Sequence, residues 1–337
     1  MDKKEFVLKA VSDKKALIVD VSDKIFDYAE VGFHEFKTAK LYEEVLKKEG
    51  FQVEMGVGGM PTAFKAVYGS GKPDSDGIFS ECESSDDIEI NRVHISSKKG
   101  AEKLGKKIGS YVTLEMPKIT DRNPDFSKAV TLKFRDEMEK VLNAFGDGCI
   151  LAAGLGNRSI ASDSLGPRVV SGLLVTRHLK EYMPQSFGDS LRGVCAVAPG
   201  VLGTTGIETG EIIRSICTRI KPSVVVAIDA LAARRVERVN TTIQISDTGI
   251  SPGAGVGNKR FELSRKTLGI PVIAVGVPTV VDAATIAVDA LEAYMDDTDR
   301  EKLAEELLPP YYKSLIVAPK NTDAMISDMS GIISAGL

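Results

Sequence analysis

The stretch Val224-Val225-Val226-Ala227-Ile228-Asp229 decides the fold: five apolar residues without a polar interruption, closed by an acid. A short run of this kind, rich in β-branched residues, is the pattern of a strand buried on both faces of a sheet. Working outward, residues 149–154 (Cys-Ile-Leu-Ala-Ala-Gly) repeat the pattern, and residues 194–198, 241–246 and 271–277 supply further short strands. Between them the apolar spacing changes to that of amphipathic helices, over 166–179, 208–220 and 281–295. Buried strands alternating with helices predict an α/β fold, with a mostly parallel sheet covered by helices on both faces.

Upstream, residues 88–117 alternate apolar and polar side chains, as in Ile90-Asn91-Arg92-Val93-His94-Ile95, and predict two strands around a polar middle. Residues 125–145 have a helical period. The front of the chain, residues 1–73, reads as helix-rich, with Leu8, Val11, Ala16, Val19, Ile25 and Tyr28 on one helical face. Residues 74–87 are polar, rich in turn formers and then acidic, which is the composition of a linker. Three segments are therefore expected: 1–73, a linker over 74–87, and a catalytic domain over 88–337.

Composition narrows the function. The 337 residues are 43% hydrophobic and 27% charged, with a net charge of -4, so there is no basic excess for direct nucleic-acid binding. Tryptophan is absent and aromatic residues make up 6%, too few for base-stacking platforms. No window approaches the roughly 20 apolar residues of a membrane span, and the amphipathic opening is unlike a signal core. Cys82, Cys149, Cys195 and Cys217 are scattered without a C-x-x-C pair and read as free thiols, three of them in or beside apolar runs. A cytoplasmic compartment follows as the expectation, without membrane contact.

Chemistry is expected outside the carboxyl ends of the strands, where open α/β sheets place their ligands. Two carboxylates stand there: Asp163, in the loop 154–167 after the first buried strand, and Asp229, at the end of the quoted run. Taken alone, Asp163 reads as an N-cap for the helix that begins near Gly166-Pro167, and Asp229 as a strand-end acid capping the next helix. Two acids at the ends of different strands shift the balance toward catalysis for both. Close carboxylates do not ionise freely together, so one can stay charged and activate water while the other, protonated, polarises a scissile carbonyl.

Gly154, Gly156 and Asn157 form the active-site loop in this reading. The segment Gly154-Leu155-Gly156-Asn157-Arg158-Ser159 lacks the third glycine of a dinucleotide fingerprint, and 253–259 lacks the G-K-[ST] ending of a P-loop; the latter reads as a substrate-contacting surface loop. A serine triad lacks its G-x-S-x-G elbow. Cys149 and Cys195 read as core rather than nucleophiles.

From about Ile88 to the carboxyl end the sequence resembles the germination proteases of spore-forming bacteria. The resemblance rests on the 154–167 loop, Leu174-Val175-Thr176-Arg177-His178-Leu179, Ala198-Pro199-Gly200-Val201, Ala227-Ile228-Asp229-Ala230-Leu231-Ala232, residues 238–250, and Gly276-Val277-Pro278-Thr279-Val280-Val281-Asp282. It implies an endopeptidase that degrades small acid-soluble spore proteins during germination, in the forespore or spore core. It also implies a homotetramer made as a zymogen, a hydrogenase-maturation-protease-like α/β fold, and Asp163 and Asp229 as the catalytic pair. The maturation enzymes bind a metal through two acids and a histidine. No histidine stands in a matching place here, so neither a metal nor any other cofactor is expected.

Residues 1–73 depart from that family and are similar instead to the opening of zinc-dependent amidohydrolases of the aminoacylase type, through Ala29-Glu30-Val31-Gly32-Phe33-His34-Glu35-Phe36-Lys37-Thr38-Ala39 and Val57-Gly58-Gly59-Met60-Pro61-Thr62-Ala63-Phe64. The zinc ligands of those enzymes do not follow, so His34 and Glu35 read as helix surface. A mis-joined reading frame or a natural replacement of the propeptide accounts for such a front. Two alternatives compete with the aspartate endopeptidase: a metal-dependent maturation-type endopeptidase of the same fold, and a non-catalytic fusion product.

Overall fold

The strand over 224–229 runs further than its apolar core suggested, to Ala233. The computed structural model of the chain describes residues 3–30, 34–57, 60–68, 76–183, 185, 191–253, 261–290 and 315–337. The chain forms two compact units, Met1–Lys72 and Pro73–Leu337.

In the first unit, helices α1 (Lys3–Tyr28) and α2 (Phe36–Lys48) precede a hairpin of β1 (Phe51–Met55) and β2 (Phe64–Tyr68). The half-buried stripe of α1 is Leu17, Val21, Ile25 and Tyr28, while Val19 is 49% exposed and Ala16 is exposed. Ile25 and Tyr28 of the expected face thus lie in the stripe and Ala16 and Val19 do not, while the side chains of Leu8 and Val11 lie outside the described residues; spacings of four and three in sequence set the stripe. His34 and Glu35 lie just ahead of α2.

The second unit is built on one sheet. Its strands are β3 (Ile78–Ser85), β4 (Ile88–Ile95), β5 (Gly109–Glu115), β6 (Ile150–Gly154), β7 (Val194–Val197), β8 (Val224–Ala233), β9 (Thr242–Ser246), β10 (Val272–Asp282) and β11 (Ile316–Val317). They lie in the order β3-β4-β5-β9-β10-β8-β6-β7, with β11 added against the end of β10. Pairing is parallel across β10-β8-β6-β7 and antiparallel across β3-β4-β5-β9-β10. The sheet is therefore mixed, and the expected parallel arrangement holds for one half of it. The other half comes from the alternating segments, whose period of two is that of strands with one face less buried.

The expected linker over 74–87 is corrected in the same way. Ile78–Ser85 is a full strand that pairs along its whole length with β4. A two-residue turn, Asp86-Asp87, joins them with both residues at positive φ, the geometry of a hairpin turn in which Asp is tolerated. Polar composition marked an outer strand, and the partner strand supplies its backbone hydrogen bonds.

Helix α3 (Lys98–Leu104) links β4 to β5, and longer helices cover both faces. On one, α4 (Pro124–Asn143), α5 (Leu165–Gly172) and the carboxyl-terminal Thr322–Gly336 helix pack on the larger core, which holds Phe134, Leu165, Val226, Ile228, Val275 and Ile333. α4 starts where the Asn123 side chain accepts the Asp125 and Phe126 amide hydrogens at 2.9 and 3.4 Å, with Pro124 in the first turn. Its Val130, Phe134 and Met138, four residues apart, are all fully buried; truncating Phe134 to alanine would cost about 3–5 kcal/mol. On the other face, helix Thr209–Ile220 buries Ile213 and Cys217 against Leu151, Val225 and Ala227.

Two helix expectations are revised. The span 166–179 divides into α5 and a second short helix, Arg177–Tyr182, because the Thr176 side chain instead accepts the Val194 amide hydrogen at 2.9 Å and donates to the Arg192 carbonyl at 2.6 Å. β10 extends to Asp282, so the helix expected from 281 begins at Ala283 and is described to Ala290; 291–295 lie outside the described residues.

Candidate active site

β6 stops at Gly154, which pairs with Ile228 of β8. β8 continues beyond it, with Asp229 opposite Gly276 of β10 and the pairing extending to Ala233. Asp229 is therefore not the strand's end. It is the first residue of β8 past the end of β6, where the sheet loses a strand on one side and opens a crevice. Only 6% of Asp229 is exposed, and the Ala230 amide hydrogen bonds its Oδ1 at 3.0 Å. Burial pushes its carboxyl up to about 7; the nearby Asp163 charge adds to the rise and the Ala230 N–H opposes it.

The loop leaving β6 brings Asp163 to the same place. After Gly154 the Leu155 amide still bonds the Ile228 carbonyl, at 2.8 Å, and the chain then turns through Gly156 at φ +104°. A Cβ at Gly156 would lie 2.2 Å from the Asp163 carbonyl oxygen and 2.8 Å from its Oδ1. At Gly154 it would lie 2.2 Å from the Gly166 carbonyl oxygen. Both positions thus need glycine so that the loop can fold back on itself, which accounts for the glycine pattern by backbone geometry alone. Asn157 closes the turn: its amide hydrogen bonds Asp163 Oδ2 at 2.7 Å, while its own Oδ1 accepts the Ser159 amide hydrogen at 3.0 Å. A backbone N–H aimed at a carboxylate favours its charged form.

Asp163 and Asp229 line one cavity of about 480 Å³, with Leu155, Gly156, Ile160 and Thr209 among the other walls. Asp163 lies in a single helical turn, Ala161–Asp163, ahead of α5, and Ser164 stands at the N-cap position of α5. The N-cap position considered for Asp163 thus belongs to its neighbour, whose hydroxyl donates to the Ala161 carbonyl rather than capping the helix. Gly253 also lines the cavity; the rest of the expected substrate-contacting loop, residues 254–259, lies outside the described residues.

One residue of the site was missed. Thr279, fully buried on β10 and part of the cavity wall, donates its hydroxyl to the Ser162 carbonyl at 2.6 Å and so ties the Asp163 turn to the sheet. It sits where the β10–β8 register shifts, between Pro278 and Val280. The signal was a single hydroxyl in the apolar run Val277-Pro278-Thr279-Val280-Val281. Among the described residues, no group of three or more His, Cys, Asp or Glu stands where it could hold a metal ion.

The chain is similar to known proteins over most of its length. The family described as Germination protease matches residues 66–297. The germination protease of Clostridium acetobutylicum is 48% identical over 275 residues, covering 75% of this chain and 84% of that protein. That of Caldanaerobacter subterraneus is 45% identical over 275 residues, covering 76% and 85%. That of Priestia megaterium is 40% identical over 304 residues, covering 74% and 82%. With more than half its length matched by the family and such relatives aligned over most of theirs, the chain belongs to the germination protease family, and is a hydrolase of peptide bonds that acts in spore germination.

Proposed function

We propose that this endopeptidase cleaves small acid-soluble spore proteins with Asp163 and Asp229 as its catalytic pair. The observation that carries the proposal is the presence of both carboxylates on one cavity, one of them buried and held near neutral pH. The pair keeps one proton, and the environments favour it on Asp229: burial destabilises that charge, whereas the Asn157 N–H favours charge on Asp163. Asp163 then takes a proton from water as the water oxygen attacks the scissile carbonyl carbon. Asp229 donates a hydrogen bond to the carbonyl oxygen. Collapse of the tetrahedral intermediate breaks the C–N bond, and a proton passes from the pair to the leaving amine.

A homotetramer in the forespore or spore core, related in fold to the hydrogenase maturation proteases, completes the proposal; the family resemblance supports both. Among the described residues no helix is long and apolar enough to cross a membrane. Residues 1–73 are proposed as an amidohydrolase-like front segment that stands where the family carries its propeptide, on the strength of the 29–39 and 57–64 motifs.

Digestion of a purified acid-soluble spore protein by the wild type, Asp163→Asn and Asp229→Asn, each with and without a chelator, tests the proposal. Cleavage by the wild type alone, indifferent to the chelator, is expected. Cleavage abolished by the chelator would assign the chain to the metal-dependent class, and unimpaired variants would remove the pair from the chemistry.

A further inference from the structure

At the amino ends of the same parallel strands, away from the carboxylates, two thiols face each other. Cys149 precedes the first residue of β6 and Cys195 is the second residue of β7. Leu151 pairs with Cys195 across β6 and β7; Cys149, two residues before Leu151, lies on the same face of the sheet. The two Sγ atoms are 3.8 Å apart, and they approach the same Ile150 carbonyl at 3.6 and 3.5 Å. Both cysteines are half-buried, in contrast to the buried Cys217 and the exposed Cys82.

Cations frame the pair. Arg192 is fixed beside Cys149 by its bonds to the Gly148 carbonyl at 3.0 Å and the Ser223 hydroxyl at 3.3 Å. Arg177 opens the short helix after α5. The Cys195 thiol, with help from the Arg177 and Arg192 charges and against burial, holds the Cys149 thiol down at about 7. The hydrogen bond with the Cys149 sulfur, and then burial, push Cys195 up. One sulfur is thereby prepared as a thiolate and the other is kept as its protonated partner.

We propose that Cys149 and Cys195 are a reversible dithiol–disulfide pair, oxidised by hydroperoxides and restored by dithiol reductants. The Cys149 thiolate attacks one oxygen of hydrogen peroxide. The O–O bond breaks, and the departing hydroxide takes up a proton to become water, leaving a sulfenic acid on Cys149. Cys195 then gives up its proton and its sulfur attacks the Cys149 sulfur. The S–O bond breaks and a second water leaves. In sum, two thiols and one peroxide become one disulfide and two waters, with two electrons passing from sulfur to oxygen. The sulfurs must close from 3.8 Å to about 2.0 Å, a movement that side-chain rotation supplies for a residue ahead of its strand. Disulfide exchange with a dithiol reverses the step.

The test uses the full chain carrying Cys82→Ser, fully reduced, freed of reductant and titrated with hydrogen peroxide. Non-reducing peptide mass spectrometry should find the Cys149 peptide joined to the Cys195 peptide, with Cys217 still free, and dithiothreitol should release the two. Cys195→Ala should halt oxidation at the Cys149 sulfenic acid, trapped as its dimedone adduct. Circular dichroism of that variant establishes that it is folded, and if it is not, Cys195→Ser is read in its place. Separate alkylation of both cysteines after peroxide treatment, or a crosslink that forms only in urea, would overturn the proposal. So would a folded Cys195 variant that gives no dimedone adduct. Activity is not the readout, so the outcome is independent of the catalytic assignment.

Discussion

On the parallel half of the sheet, β10-β8-β6-β7, polar groups are few and three of them serve the crevice: Asp229 where β6 stops, Asp163 on the loop beyond it, and Thr279 holding that loop. On the antiparallel half, β3-β4-β5-β9, charge is used differently. Arg92 on β4 makes two hydrogen bonds to Glu137 of α4, at 2.9 and 2.7 Å, and one to Glu83 of β3 at 2.8 Å. Lys133 and Lys140 complete the cluster. Glu137 is 3% exposed; burial opposes its ionisation, yet Arg92 and Lys140 hold its carboxyl below the usual value. Buried carboxylates thus occur on both halves. With two cations as partners, Glu137 is structural. Asp229 instead keeps its proton toward neutral pH through burial, with the charge of the neighbouring Asp163 adding to the effect, which is the state the proposed mechanism uses.

The largest effect should separate the halves outright. Asp163→Asn and Asp229→Asn should each lower kcat/KM for spore-protein cleavage by about 10²–10⁴-fold, the range for losing a positioned acid or base. Arg92→Ala, assayed where it is still folded, should stay within a few-fold of the wild type. A comparable loss in all three variants would erase the distinction.

The next effect lies in the pH dependence of stability. The Asp229 carboxyl rises from 3.8 to about 7 on folding, so between those values the folded protein holds a proton that the unfolded chain has released. Stability therefore falls as pH rises from about 4 to about 7, by roughly 4 kcal/mol at most, and stays low above that. Asp229→Asn should flatten this interval in urea titrations and be the more stable protein at pH 8 while lacking activity. A wild-type stability that rises through the interval, unchanged by the substitution, would contradict the assigned burial cost.

Smaller losses test the two supports. Arg92→Ala should cost about 3 kcal/mol by urea unfolding, the low end for breaking a buried pair because Lys140 remains on Glu137. Thr279→Val should cost about 1–2 kcal/mol, by leaving the Ser162 carbonyl without its donor. That variant should also lose activity by roughly 10-fold as the Asp163 turn shifts, and Thr279→Ser should restore most of it. If Thr279→Val matches the wild type in activity, the tie does not position Asp163.

Much of this arrangement was legible because local pattern and burial agree on the parallel half. Val224–Ile228 and residues 150–154 are apolar because both faces are covered, and Asp229, directly after the first of these runs, has few places to go. The antiparallel half was harder to read. Ile78–Ser85 carries Glu81, Glu83, Ser84 and Ser85, and its strand character comes from pairing with β4 rather than from its side chains. The continuation of β8 past Asp229 was hidden for a related reason: it depends on β10 running alongside to Val281, a non-local contact. Thr279 was overlooked because one hydroxyl in an apolar strand gains its meaning only from the loop it meets, 117 residues away in sequence.

The central claim is that one proton is shared by the Asp163–Asp229 pair and is needed for cleavage. The most direct measurement is the pH profile of kcat/KM for a purified acid-soluble spore protein, taken from about pH 5 to about pH 9. Activity should decline as pH rises through about 7, where Asp229 loses its proton. A profile that stays level through that range, with both aspartates intact, would contradict the account.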